Sequence, residues 1–457
     1  MQKTFFLSII LSLCILPAKA QILPEICGHQ RLLDQAESLN PGYKAAVHKF
    51  FNETKHSLSP RTPEIYRIPV VFHVVWRNNF PDQNIPDICI TRQITILNEA
   101  YRAINQDRNN LRPVFGLAAE DSGIEFYLAD IDPQGQPSNG IVRKSTATRF
   151  TINPLVGINI DMKSSAKGGS DPWPVDRYLN IWVVNMPLNF LGVEQVSVIG
   201  FATPPTNLEN WPANALDGVG ADGIVMQYHF IGDNNPAFNK LPSSFSLADR
   251  GRSLVHETGH YLGLRHIWAD KGNPLLGTPS CNNSQGGRED DGMEDTPYCG
   301  GNSQTTGCSA TKNTCVDGTP DFPDMWENYM DYSEERCQVL FTPEQIEFMR
   351  KVIDTRRKRL VSWNETSVVD NNNAYSDISI IPNPNFGQCR ILWDHGLKPT
   401  SMYIYDLIGY QKTIALNTAN QFMDLDINQL NPGMYLVQFL DENQKILRSK
   451  KMIKLSY

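Results

Sequence analysis

His256, Glu257, His260, Gly263 and His266 stand in the order H-E-x-x-H-x-x-G-x-x-H, residue types and spacings that suit a hydrolytic metal site. On a helix, positions i and i+4 lie one turn apart on the same face, so His256 and His260 turn their imidazoles toward one point. Glu257 is offset around the helix and reaches a metal-bound water without ligating the metal. Gly263 adopts positive φ at little cost, so the helix is expected to stop there and the chain to swing His266 in as a third ligand. Three protein ligands with an open fourth position mark a catalytic zinc site, whereas structural sites are closed. The chemistry expected is attack of an activated water on a carbonyl, with Glu257 as general base. A helix with ordinary surface histidines would need five positions to coincide in a chain holding only nine His. Leu247, Leu254, Val255 and Leu262 add apolar positions at helical spacing, so the motif is expected on a packed helix.

The elements that must position this helix are legible as periodicity. Residues 66–76 (YRIPVVFHVVW) form a β-rich apolar run that predicts a buried strand. Residues 91–105 have helical periodicity, 124–131 and 178–184 are further strands, and 342–360 is a closing helix. This order predicts an α+β catalytic domain, a mixed sheet plus an active-site helix. Residues 270–325 are rich in Gly, Asn, Asp, Thr and Cys, and a loop that long is expected to be cross-linked, metal-bound or functional. Residues 368–374 form a linker, and 375–457 alternate in period 2 between turns, as in a small β-sandwich.

Composition narrows the setting. The chain has 457 residues, too many for one ordinary core. Its 41 Lys+Arg against 49 Asp+Glu give a net charge of -8 without a basic block, which argues against nucleic acid as a partner. Lys3, the apolar run Phe5 to Leu16 and the small-residue site at Ala18-Lys19-Ala20 predict a secretory signal over residues 1–20. Nothing after it is long and apolar enough to span a membrane. Of nine Cys, Cys14 leaves with the signal, so eight remain in an exported chain where disulfides are permitted.

Downstream of the zinc motif, Glu327-Asn328-Tyr329-Met330-Asp331-Tyr332 resembles the Met-turn of the metzincin metalloproteases. The resemblance implies Met330 as a soft apolar floor beneath the three histidines. It implies Tyr332 as a catalytic tyrosine near the zinc. The segments IPVVFHVVW (68–76), KGGSDPWP (167–174), YLNIWVV (178–184), ADGIVM (221–226) and ENYMDYS (327–333) resemble the pappalysin branch, over roughly residues 60 to 360. That likeness implies a secreted endopeptidase acting on proteins, with zinc and structural calcium. Asp291, Asp295 and Thr296 are the best matches for calcium ligands. The family pattern implies disulfides Cys281–Cys308 and Cys299–Cys337; Cys315 is extra, with Cys89 as one candidate partner, and the sequence alone does not fix this connectivity. Cys27-Gly28 resembles a cysteine switch, in which a thiolate takes the fourth zinc position. Bond cleavage near Ser59-Pro60-Arg61 would then release the enzyme. In arginine-preferring relatives an acidic residue before the cysteine after the Met-turn lines the S1′ pocket. Arg336 holds that place here, which predicts a pocket tolerant of Asp or Glu.

The tail resembles the C-terminal sorting domain of the type IX secretion system in Ile380-Ile381-Pro382-Asn383-Pro384, Ile404-Tyr405-Asp406-Leu407-Ile408-Gly409 and Leu430-Asn431-Pro432-Gly433-Met434-Tyr435. It implies passage through that machinery to the outside, or onto the outer surface, of a gram-negative cell. The expected division is signal 1–20, pro-segment 21–60, metzincin-type zincin domain 61–363, linker 364–374 and sorting domain 375–457. Two other functions fit parts of the pattern: a surface-displayed binding protein with a relic zinc site, and a zinc amidase acting on non-peptide substrates.

Overall fold

The computed structural model describes residues 25–58, 64–153, 157–190, 193–196, 198–205, 220–269, 281 and 290–362. In the tail it describes 378–381, 383, 385, 387–393, 398–406, 411–416 and 422–455. The signal, the cleavage segment at Ser59 to Arg61 and the linker at 364–374 lie outside these residues.

An N-terminal segment comprises β1 (Glu25–Cys27), α1 (His29–Leu39) and α2 (Tyr43–His56). There follow β2 (Tyr66–Arg77), α3 (Asp87–Tyr101), β3 (Ile124–Leu128), β4 (Ile141–Thr146), β5 (Leu179–Val184), the ribbon β6 (Leu188–Phe190) and β7 (Val193–Gln195), β8 (Val198–Ala202) and β9 (Ile224–Gln227). The zinc-motif helix is α4 (Ser253–Tyr261), and α5 (Pro343–Arg356) and α6 (Arg359–Ser362) close the domain. The main sheet runs β1-β8-β9-β5-β2-β3, with β4 also on β2. Every pairing is parallel except β8 with β9. This is the mixed sheet the sequence order predicts.

β2 and β5 are buried on both faces, which explains why they read as unbroken Val, Ile and Leu runs rather than as alternating strands. The sheet separates two cores. One gathers α3, α4 and α5 around Val70, Phe72, Leu254, Met330 and Phe348. The other lies on the opposite face around Val75, Trp182, Val184 and Phe201, and is roofed by Leu32, Ala36 and Tyr43 of the N-terminal segment. His73, facing this side, bonds Ser170 through Nδ1 and Asn180 through Nε2, both at 2.9 Å, and stacks on Trp182. That network fastens the 167–174 segment to the sheet.

Helix ends follow local chemistry. α5 begins with Pro343 after a reciprocal capping box between Thr342 and Gln345. The closing helix is split at Arg357, whose guanidinium turns inward to pair with buried Asp222, covers the Tyr261 ring at 3.5 Å and donates to the Tyr261 carbonyl. α3 runs from Asp87 to Tyr101 rather than over 91–105, because Ala103 takes a positive φ and ends the helix.

The cysteines pair differently from the family expectation. Cys281 is bonded to Cys315, and Cys308 to Cys337, with Cα separations of 5.6 and 6.2 Å that suit a disulfide. Cys299 is buried as a thiol that donates to the Gly301 carbonyl at 3.1 Å. Cys89 is buried on α3 as a thiol, so it is no partner for Cys315.

The tail forms two antiparallel sheets. One is β10 (Ile378–Ile381), β11 (Gln388–Trp393) and β14 (Phe422–Asp426). The other orders as β13 (Gln411–Ala415), β12 (Ser401–Tyr405), β15 (Gly433–Leu440) and β16 (Ile446–Lys454). Ile378, Ile391, Met402, Val437, Phe439 and Met452 share one core between them, as in a sandwich.

Candidate active site

α4 is only nine residues long and every one of them is buried, so packing and not propensity holds it in place. Its N-terminus carries no cap of its own. The carboxylate of Glu335 takes that role, accepting from the Ser253 hydroxyl at 2.7 Å and the Arg250 amide at 2.6 Å, as well as from the Ser253 amide. The helix ends where Gly263 adopts φ +90°, a conformation that favours glycine.

Three imidazoles converge from this scaffold. The Nε2 atoms of His256, His260 and His266 stand 3.0 to 3.2 Å from one another. Nδ1 of His256 donates to the Tyr329 carbonyl at 2.7 Å, and Nδ1 of His260 to the Leu264 carbonyl at 2.8 Å. Both of these rings are thereby fixed with their Nε2 lone pairs facing the triangle's centre. Three facing lone pairs repel unless a cation sits among them. Zn–N bonds of about 2.0–2.1 Å in a tetrahedron place nitrogens about 3.3 Å apart, so the donor set fits zinc. Burial and the neighbouring imidazoles hold His260 well below the usual histidine range, in the neutral form a metal needs.

Glu257 lies beside the triangle, buried, and burial pushes its carboxyl up to about 8. A dication on the adjacent histidines would lower it again. Gly200 of β8 makes room for it, because a Cβ there would stand 3.0 Å from Glu257 Cγ. Met330 is fully buried beneath α4, with its sulfur 2.5 Å from where a Cβ on Gly259 would be. The Tyr332 ring packs edge-on against His266, and its hydroxyl donates to the Cys27 carbonyl at 3.4 Å.

Cys27 completes the cluster. Its sulfur and one ring nitrogen from each of His256, His260 and His266 all lie within 4.8 Å of one another. β1 carries it there by pairing with β8, Cys27 opposite Gly200. The next residue but one, His29, stacks flat on His260 with ring centroids 4.1 Å apart.

Arg336 does not line the pocket beside the histidines. Its side chain is largely exposed and pairs with Glu334. The turn at 334–337 sends the neighbouring Glu335 inward instead. A narrow cavity next to His256 is lined by Glu335, Asp331, Ser333, Ser253 and Gln338, and Ile26 reaches into it. Of the expected calcium ligands, Thr296 donates to Asp291 at 2.8 Å, and one carboxylate oxygen of Asp295 accepts from the Glu344 amide at the start of α5. Among the described residues no cluster of three or more metal-binding side chains includes Asp291 or Asp295.

Glu335, His29 and Trp268, which stacks on His266 at 4.5 Å, have parts in the site that the sequence reading missed. Only Trp268, two residues past the last histidine, left a signal that spacing could have picked up.

Comparison with known proteins agrees with this geometry. Residues 169–354 match the family model of pregnancy-associated plasma protein-A, and residues 379–454 match that of the secretion-system C-terminal sorting domain. An extracellular metalloprotease of Arthroderma benhamiae is 35% identical over 303 residues, 65% of this chain and 76% of that protein. One from Aspergillus oryzae is 31% identical over 167 residues, which is 35% of this chain but 44% of that protein. The solved structure of a Tannerella forsythia promirolysin mutant superposes with a TM-score of 0.57 at 32% identity, covering 75% of this chain and 100% of that one. Among the described residues no helix is long and apolar enough to cross a membrane. The chain belongs to the pappalysin family: it is a zinc metalloprotease with a type IX sorting domain, secreted or held at the cell surface.

Proposed function

We propose that the protein is a secreted endopeptidase synthesised as a zymogen, with residues 61–363 as catalytic domain, 21–60 as pro-segment and 375–457 as a sorting domain that delivers it. The convergence of three Nε2 atoms beside a buried glutamate carries this reading. Zinc at this site supplies Lewis acidity and brings the pKa of a water ligand down to about 7. Glu257 takes the proton as water adds to the peptide carbonyl, and passes it to the leaving amine. The Tyr332 hydroxyl donates to the carbonyl oxygen as negative charge develops there. In the zymogen that hydroxyl is occupied by the Cys27 carbonyl, and the Cys27 thiol, grouped with the three histidines, would serve as a fourth ligand in place of water and keep the site silent.

With Ile26 of the pro-segment withdrawn, the cavity beside His256 would receive the side chain that follows the scissile bond. Burial raises the carboxyls of both Glu335 and Asp331; Lys312 offsets part of this at Asp331, and no Lys or Arg lines the cavity itself. An incoming Lys or Arg side chain would supply that charge, so a basic preference replaces the acidic one expected from Arg336. Calcium is assigned to the Asp291–Thr296 turn as a structural ion, to be checked by the change in melting temperature on selective calcium removal.

Casein digestion by the form lacking residues 21–60 tests the reading. Digestion that stops with a zinc chelator and returns with zinc supports an endopeptidase. Zinc binding without digestion of any protein or peptide would leave the relic or amidase reading.

A further inference from the structure

Among the described residues the N-terminal segment packs on the rest of the protein through β1, α1 and α2, and only its first residues, Cys27 and His29, reach the zinc site. β1 lies on the edge of β8. α1 buries Leu32 and Ala36 against Phe150, Ile152 and Val198, and Gln35 both donates to and accepts from the Ile158 backbone. α2 buries Phe50 and Phe51 on the outer side of α5. Phe51 stacks on Phe348 at 4.7 Å and is covered by the Arg265 guanidinium at 3.7 Å.

The receiving surface is shaped for these two rings. A Cβ on Gly263 would stand 3.2 Å from Phe50, and one on Gly292 would stand 3.0 Å from Phe51. Both glycines have positive φ, so backbone turns on two separate loops leave the hollows that the phenyl groups fill. Lys55 pairs with Glu344 at the end of the helix, both side chains largely shielded from solvent. All of these contacts are made by residues 25–58. None depends on the covalent connection to β2, and two fully buried aromatic anchors in fitted pockets are the usual carriers of affinity in an interface.

We propose that the N-terminal segment is a tight-binding inhibitor in its own right: residues 25–58 stay docked as a separate chain after the connection to β2 is cut, held by Phe50 and Phe51 on the surface formed by Gly263, Arg265, Gly292 and Phe348. Cys27 silences the zinc site, while α2 supplies the binding strength. One cut therefore leaves the enzyme latent, and activation needs a second event that removes α2. This rests on the zymogen reading above, and adds that affinity and inhibition reside on different elements.

The test uses the full chain carrying Glu257→Ala, to prevent self-digestion, with a site for an unrelated sequence-specific protease placed between Leu58 and Glu64. After nicking, size-exclusion chromatography with intact mass should show the two pieces eluting together. Phe50→Ala with Phe51→Ala should weaken the pairing at least about a hundredfold and separate them. Lys55→Glu, which sets like charges together at Glu344 without opening the core, is the second variant should the double alanine chain fail to fold. It should cause a smaller, salt-dependent loss of retention. With Glu257 restored, the nicked parent should stay below a few per cent of the activity of the form lacking residues 21–60, and the nicked double variant should reach it. Loss of the segment from the nicked parent would overturn the proposal, and so would retention unaffected by any α2 substitution. Elution is read without any protease activity, so an inactive catalytic domain would not be confused with failed retention.

Discussion

Gly259→Ala sets two effects of known size against each other. Alanine inside a helix is better than glycine by about 0.8–1.0 kcal/mol. At this position, though, the new methyl would stand 2.5 Å from the Met330 sulfur and 3.5 Å from Phe341. Comfortable contact between such atoms is about 3.5–4.0 Å, so Met330 or α4 must move by about 1 Å. Met330 is fully buried and cannot move into solvent. Overpacking of this kind costs about 1–3 kcal/mol, and a contact about 1 Å too short between buried groups belongs to the upper half, about 2–3 kcal/mol, which outweighs the propensity gain and leaves a net loss of about 1–2 kcal/mol. For a domain of this size that lowers Tm by about 2–8 °C. His256 and His260 share the displaced helix, so zinc should also be lost at a lower chelator concentration. Calorimetry and a zinc-competition titration measure the two effects. Met330→Ala in the same chain should relieve the crowding, giving a coupling of about 0.5–3 kcal/mol in the double-mutant cycle. A Gly259→Ala protein at least as stable as the parent, or strict additivity with Met330→Ala, would refute the packing of the Met-turn against α4.

Arg357→Ala should cost about 3–5 kcal/mol, read as a fall in Tm, because it strands Asp222 as a buried charge beneath the zinc helix. Glu335→Gln should reduce cleavage before Lys and Arg in a peptide library while Arg336→Ala leaves the preference in place; the opposite pattern would return the pocket to Arg336. Burial pushes His73 down to about 4 from an unfolded value near 6.5. The unfolded chain therefore takes up the proton first, and the stability this residue contributes above pH 6.5 is lost as pH falls toward 4, at about 1.4 kcal/mol per pH unit. Urea midpoints across that range should fall more steeply for the parent than for His73→Gln.

What the sequence revealed and what it hid divide along the range of the interactions. The convergence of the three histidines was legible because the i, i+4 spacing and the Gly263 turn are local geometry, fixed within eleven residues. β2 and β5 were legible because burial on both faces writes itself as an unbroken apolar run. The disulfides were not, because five cysteines lie in or beside one long loop and only its three-dimensional path selects partners. The choice between Glu335 and Arg336 turned on the direction of a single turn, which composition does not specify. The contact of Asp295 with the amide of Glu344 was hidden, because those two residues are distant in sequence. The flat stacking of His29 on His260 and the seating of Phe50 and Phe51 needed two remote parts of the chain to be brought together.

The central claim is that three histidines hold the metal and Glu257 moves the proton. The most direct measurement pairs zinc content with peptide cleavage in the Glu257→Ala form lacking residues 21–60. The account predicts one zinc per chain and no detectable cleavage. Undiminished cleavage would contradict the role of Glu257, and loss of the zinc would contradict its placement outside the ligand set.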